Sequence, residues 1–160
     1  DDANGPLTAI TIKMNTAKTN GYFTTFGCGD YNNTRDDVIY FKCSNEYDLI
    51  KKFIGWWQAE YPDIITGWNV QNFDIPYLVN RITKVAGESE SKKLSPWGII
   101  TPKQVDLGNN RVVNSYSFKG IATLDMLDLY QRSLLAGCQA EPDISKCMAL
   151  AARFVFVHHD

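Results

Sequence analysis

The chain has 160 residues, a net charge of −2, 44% hydrophobic and 21% charged residues, which suits one soluble globular domain with a real core. The charge lends no support to a freestanding DNA-binding module, which is more often basic because phosphate neutralisation drives affinity. Cys28, Cys43, Cys138 and Cys147 have no CxxC spacing, so they read as reduced thiols in a cytoplasmic setting rather than zinc ligands or a disulfide framework. The N-terminal DDANGPLT has neither a basic region nor an apolar run, so it is no signal peptide, and its lack of Met suggests a start inside a longer protein. Apolar runs are too short for a membrane span.

Leu7 to Lys13 has a β-like, mostly buried pattern. Thr16 to Asn20 and Gly21 make a turn, and Tyr22 to Phe26 is a second strand by its aromatic and Thr content. Asp30 to Asp36 reads as a loop and Val38 to Phe41 as a third strand. Short turns between the three suggest an antiparallel meander. Asn45 is a plausible N-cap for a helix whose apolar face carries Leu49, Phe53, Trp56 and Trp57, and which Pro62 ends. Trp56 and Trp57 read as core and helix surface.

Asp63 to Gly67 is a short buried strand of the parallel kind, and Asn69 to Phe73 a tight connection. Asp74 then begins a helix, with Pro76 tolerated in its first turn, an inner stripe of Ile75, Leu78, Val79, Ile82 and Val85, and Gly87 at its end. Glu88 to Lys93 is read as a solvated charged loop. Ile99 to Gly120 holds short strand-like pieces around a hairpin turn at Asn109-Asn110. Ile121 to Leu124 is a further strand, and Asp125 caps a helix through Met126, Leu129 and Tyr130. The order gives an α/β domain with a mixed central sheet flanked by helices.

The segment from Asp63 to Arg81, DIITGWNVQNFDIPYLVNR, closely resembles the second exonuclease motif of family B DNA polymerases. Asn69, Phe73 and Asp74 match the core of that motif. The flanking Thr66-Gly67-Trp68 and Ile75-Pro76-Tyr77 make the match specific, since a bare NxxxFD would recur by chance. Around it, the Trp56-Trp57 helix, Lys93-Leu-Ser-Pro-Trp-Gly98 and Leu124-Asp-Met-Leu-Asp-Leu-Tyr130 look like the polymerases of T-even-type bacteriophages. Residues from about Leu7 to Tyr130 fit that group's exonuclease domain.

The resemblance implies a ribonuclease-H-like exonuclease fold, incomplete at both ends. Residues 1–135 would be a partial 3′–5′ exonuclease domain and residues 136–160 a divergent or frame-shifted tail. It implies template-directed DNA synthesis and excision of mismatched 3′ ends by the parent protein, in the cytoplasm of an infected bacterial host. It further implies two Mg²⁺ (or Mn²⁺) ions in the complete domain. The implied partners are a single-stranded DNA 3′ end, primer-template DNA, a sliding clamp and other replisome proteins, with no membrane. Asp74 would be a catalytic metal ligand, while Asn69 and Phe73 would contact DNA.

The chemistry has a physical rationale. Phosphodiester hydrolysis builds negative charge on the attacking and leaving oxygens, which two metal ions can stabilise. Hard cations take carboxylate oxygens. An Asp where a strand hands over to a helix projects from the sheet's C-terminal edge, and the helix dipole favours its ionised form. Phe73 could stack on a frayed base, and Asn69 could hydrogen-bond DNA or fix the loop.

Simpler roles stand beside these. Asp74 can be a helix N-cap, Asn69 a turn residue and Phe73 core. Asp125 and Asp128 could be extra metal ligands, but helix capping and surface placement explain them more simply. His158, His159 and Asp160 could be drawn as a metal cluster, yet adjacent histidines point apart on a strand.

The family's Asp-x-Glu pair, expected on its first strand, and its third motif, a Tyr with a following Asp, do not occur in this sequence. They are expected upstream of residue 1 and beyond residue 160. The stretch after Tyr130 does not align, which a frame shift or divergent insertion near Leu135 to Cys138 would explain. The alternative function is a ribonuclease-H-like module that binds nucleic acid without cutting it. An α/β interaction domain unrelated to DNA would require the long match to be accidental.

Overall fold

A computed structural model describes residues 3–16, 19–106, 112–135 and 153–159. The first three strands are β1 (Leu7–Thr16), β2 (Thr19–Gly27) and β3 (Val38–Lys42). Helix α1 (Glu46–Ala59), strand β4 (Ile64–Gly67) and helix α2 (Asp74–Ala86) follow. A short helix α3 (Glu88–Lys92) leads to β5 (Ile100–Asp106) and β6 (Val112–Phe118). The last described elements are β7 (Ala122–Asp125), α4 (Met126–Leu135) and β8 (Arg153–His159).

Six strands form one mixed sheet in the order β3-β2-β1-β8-β4-β7, while β5 and β6 pair as a separate antiparallel hairpin. β1 pairs antiparallel with β2 and with β8. β4 pairs parallel with β7 and with β8, Thr66 lying opposite Phe154. The mixed central sheet with flanking helices is therefore present.

Pleating places Ile10, Ile12 and Met14 of β1 on the buried face. Phe26 of β2 and Ile65 of β4 join them in the core. α1 adds Leu49, Ile50, Phe53, Ile54 and Trp57, and α2 adds Ile75, Leu78, Val79 and Ile82. Both helices are amphipathic, so each buries one stripe. Burying each such side chain contributes about 1.5–3 kcal/mol against exposure.

The helix ends behave largely as the sequence suggests. Asn45 has extended backbone, and its side chain accepts from the Asp48 N–H at 3.0 Å, making it the N-cap of α1. Gly87 closes α2 with φ +95°, a backbone region that residues with a Cβ rarely adopt. Trp57 is core, with its indole N–H on the Leu94 carbonyl, and Trp56 packs edge-on against Phe26.

Three expectations need correction. β2 and β3 are parallel, with Phe23 opposite Val38, so the first three strands are not an antiparallel meander. Residues 28–37 carry the chain back to the middle of β2, where the Phe23 N–H meets the Asp37 carbonyl at 2.7 Å. Asn33 organises that return by donating to the Val38 carbonyl at 2.7 Å and accepting from Arg35 N–H.

Glu88 to Lys92 is a helix rather than a solvated loop. Its Ser91 is buried and bonds Thr83 at 2.9 Å, while Glu90 lies between Lys51 and Lys93. Thirdly, the piecemeal strands of Ile99 to Gly120 form one regular hairpin; its Asn109-Asn110 turn lies outside the described residues. β8 was not expected as an element at all, and it occupies the middle of the sheet. His158 and His159 lie on it, and Asp160 lies outside the described residues. Cys28 and Cys43 are free thiols, whereas Cys138 and Cys147 lie outside the described residues.

Candidate active site

The parallel strands β4 and β7 end side by side, with Gly67 opposite Asp125. Each hands over to a helix at the sheet's C-terminal edge, the usual place for a site in an α/β sheet. Trp68 to Phe73 bridges β4 to α2, and Met126 follows Asp125 directly into α4.

Asp74 is the first residue of α2 and is half-buried. The N-cap of that helix is Phe73, which supplies no side-chain cap bond. Asp74 therefore stands one position inside the helix, after the N-cap. Its carboxylate sits in the first turn, where the positive end of the helix dipole favours the charged form.

Asn69 is in the left-handed region with φ +58°, a conformation that Asn tolerates better than most residues. Its backbone carbonyl accepts from Asn72 and Phe73 N–H, and its side-chain oxygen accepts from the Asn72 amide at 3.0 Å. Asn69 thus fixes the turn. Phe73 is 45% exposed, so it is not core. Trp68 is also exposed and lies 6.0 Å, ring to ring, from Tyr130 of α4.

Asp125 is 5% exposed. Its Oδ1 accepts from the Asn69 N–H at 3.0 Å and the Leu127 N–H at 2.9 Å, and its Oδ2 from the Gln71 N–H at 2.9 Å. Capping of α4 was legible from the sequence. The two bonds to the Asn69–Gln71 turn were not, because nothing local links residues so far apart. On the other side of the turn, Ser115 of β6 donates to the Gln71 carbonyl. Asp128 is exposed and pairs with Arg132 at 3.0 Å.

The exonuclease domains of family B polymerases generally depend on divalent metal. Among the described residues, no three His, Cys, Asp or Glu side chains gather to hold an ion. Asp125 already serves three backbone N–H groups. The described residues alone do not fit a two-ion centre. Among them, no helix is long and apolar enough to cross a membrane.

The family described as DNA polymerase family B, exonuclease domain, matches residues 7–138. The DNA-directed DNA polymerase of Enterobacteria phage T4 is 38% identical over 99 residues, covering 61% of this chain and 11% of the relative. That of Escherichia phage RB69 is 39% identical over 99 residues, with the same coverage of 61% and 11%. The DNA polymerase catalytic subunit of Saimiriine herpesvirus 2 (strain 11) is 34% identical over 87 residues, covering 51% of this chain and 9% of that protein. The chain spans about a tenth of the length of these curated relatives. With the matched region containing five of the six strands of the mixed sheet, the Trp68–Phe73 turn and Asp74, the chain belongs to the family B DNA polymerase exonuclease domains, which have a ribonuclease-H-like fold.

Proposed function

We propose that the chain is part of the 3′–5′ proofreading exonuclease of a larger DNA-directed DNA polymerase of the T-even phage type. The carrying observation is the family match across residues 7–138 together with Asp74 at the strand-to-helix edge. In this reading residues 1–135 belong to the exonuclease domain and residues 136–160 are a divergent or frame-shifted tail, although β8 within them pairs into the domain's sheet. The substrate is the 3′-terminal phosphodiester of single-stranded DNA, presented from primer-template DNA.

Asp74 supplies one carboxylate to a centre for two Mg²⁺ (or Mn²⁺) ions, whose other ligands come from outside the described residues. Exposed Phe73 offers a face for the terminal base. Asn69 shapes the turn beneath it and contacts DNA. The parent protein works in the cytoplasm of an infected bacterium with a sliding clamp and other replisome proteins.

The test uses the polymerase that carries this chain, a 3′-mismatched primer-template, Mg²⁺ and no nucleotides. Stepwise shortening from the 3′ end is expected. Salt-sensitive binding without shortening would instead favour a ribonuclease-H-like module that binds and does not cut.

A further inference from the structure

We propose that Asp125 is a positioning residue for the excision reaction, acting by clamping the turn that leads to Asp74. The inference rests on the exonuclease reading of Asp74 given above. Asp125 sits at the end of β7, across from Gly67 at the end of β4. From there its buried carboxylate reaches under the following turn and takes the N–H groups of Asn69 and Gln71 at 3.0 and 2.9 Å. The same carboxylate takes the Leu127 N–H at 2.9 Å, which ties it to the start of α4.

Carboxylate-to-backbone bonds of this kind are charge-assisted, and burial strengthens them. They hold the turn from inside the domain. Ser115 holds it from the hairpin side through the Gln71 carbonyl. Asn69 stays left-handed between these two anchors. Its carbonyl receives the Phe73 N–H at 3.1 Å, and the Val70 carbonyl receives the Ile75 N–H at 3.0 Å. These bonds pass the turn's geometry to the residues on both sides of Asp74. Asp125 therefore sets where the Asp74 carboxylate points, without touching substrate.

The Asp125→Asn variant keeps the side-chain shape but puts an amide NH₂ where one acceptor oxygen stood, opposite a backbone N–H. In the polymerase that carries this chain, it should lower kcat for excision by about 10–100-fold, the usual loss when a supporting hydrogen-bond partner is removed. The rate of primer extension should be unchanged. Hydrogen exchange across residues 68–73 should speed up while that of β4 stays constant. Ser115→Ala, which removes the opposite anchor, should move exchange and kcat in the same direction by less.

Unchanged exchange across residues 68–73 in Asp125→Asn, or unchanged kcat, would overturn the proposal. So would an equal loss of excision and extension, which marks general unfolding. An Asp74→Ala arm separates the two levels. If that variant still excises normally, the reading of Asp74 falls. If Asp74→Ala abolishes excision and Asp125→Asn does not alter the turn, the positioning role alone falls.

Discussion

Arg81 on α2 grips Glu46 at the start of α1 with two parallel bonds, Nε to Oε1 at 2.6 Å and Nη2 to Oε2 at 2.7 Å. Both side chains are mostly buried, 12% and 17% exposed. The pair also ties down the incoming chain, because Arg81 donates to the Ala3 and Asn4 carbonyls and Glu46 accepts the Leu7 N–H at 2.7 Å. Arg81 thus fastens α2, whose first residue is Asp74, to α1 and to β1.

A pH dependence follows from this pair. Burial alone pushes the Glu46 carboxyl up, but the Arg81 guanidinium and the Leu7 N–H outweigh it and hold it below the usual carboxylate range. A lowered folded-state value means the stabilisation is fully present above the unfolded value, about 4.3. It is lost as pH falls through the lower folded value. Glu46→Gln should cost about 2 kcal/mol at neutral pH. Denaturant unfolding of the two proteins should show that gap closing in acid; a gap independent of pH would contradict the assignment.

Trp57 donates its indole N–H to the Leu94 carbonyl at 2.9 Å, and Tyr61 donates to the Lys93 carbonyl at 2.9 Å. These bonds pin the segment after α3 to the end of α1. Trp57→Phe keeps an aromatic ring but strands a buried carbonyl, so it should destabilise the fold by about 1–3 kcal/mol. Equilibrium urea unfolding checks this. The exposed Trp97→Phe change should be nearly neutral by comparison, since that residue is 69% exposed.

The isolated 160-residue chain should show little or no nuclease activity. Among the described residues no cluster of three ligands is available, and hard cations need several oxygen ligands. Incubation of the purified chain with single-stranded DNA and Mg²⁺ tests this. Robust metal-dependent digestion would show that the chain completes a centre by itself.

Much of the fold was legible where the signal is local. The 3.6-residue stripe of α2, the Asn45 cap and the Gly87 stop all act within a few residues. The candidate site was legible because one uninterrupted string holds Trp68, Asn69, Phe73 and Asp74. What the sequence hid depends on distant pairing. The parallel register of β2 with β3 arises from the return path through Asn33 and Asp37. The α3 helix has no apolar stripe; its one buried residue, Ser91, bonds to Thr83 of the preceding helix. The Asp125 clamp crosses more than fifty positions of sequence to reach Asn69 and Gln71. Phe154 to Val157 has the aromatic and β-branched content of a strand, but β8 pairs with β1 and β4, both remote from it, so its central place in the sheet has no local signal.

In the proposed function, Asp74 carries the excision chemistry. Its most direct test is excision of a 3′-terminal mismatch by the polymerase that carries this chain, measured for the natural protein and for Asp74→Ala, with primer extension measured in parallel. Asp74→Ala should lower excision by about 10³-fold or more, a loss of roughly 4 kcal/mol of transition-state stabilisation, and leave extension unchanged. Undiminished excision in Asp74→Ala would rule out that role for Asp74.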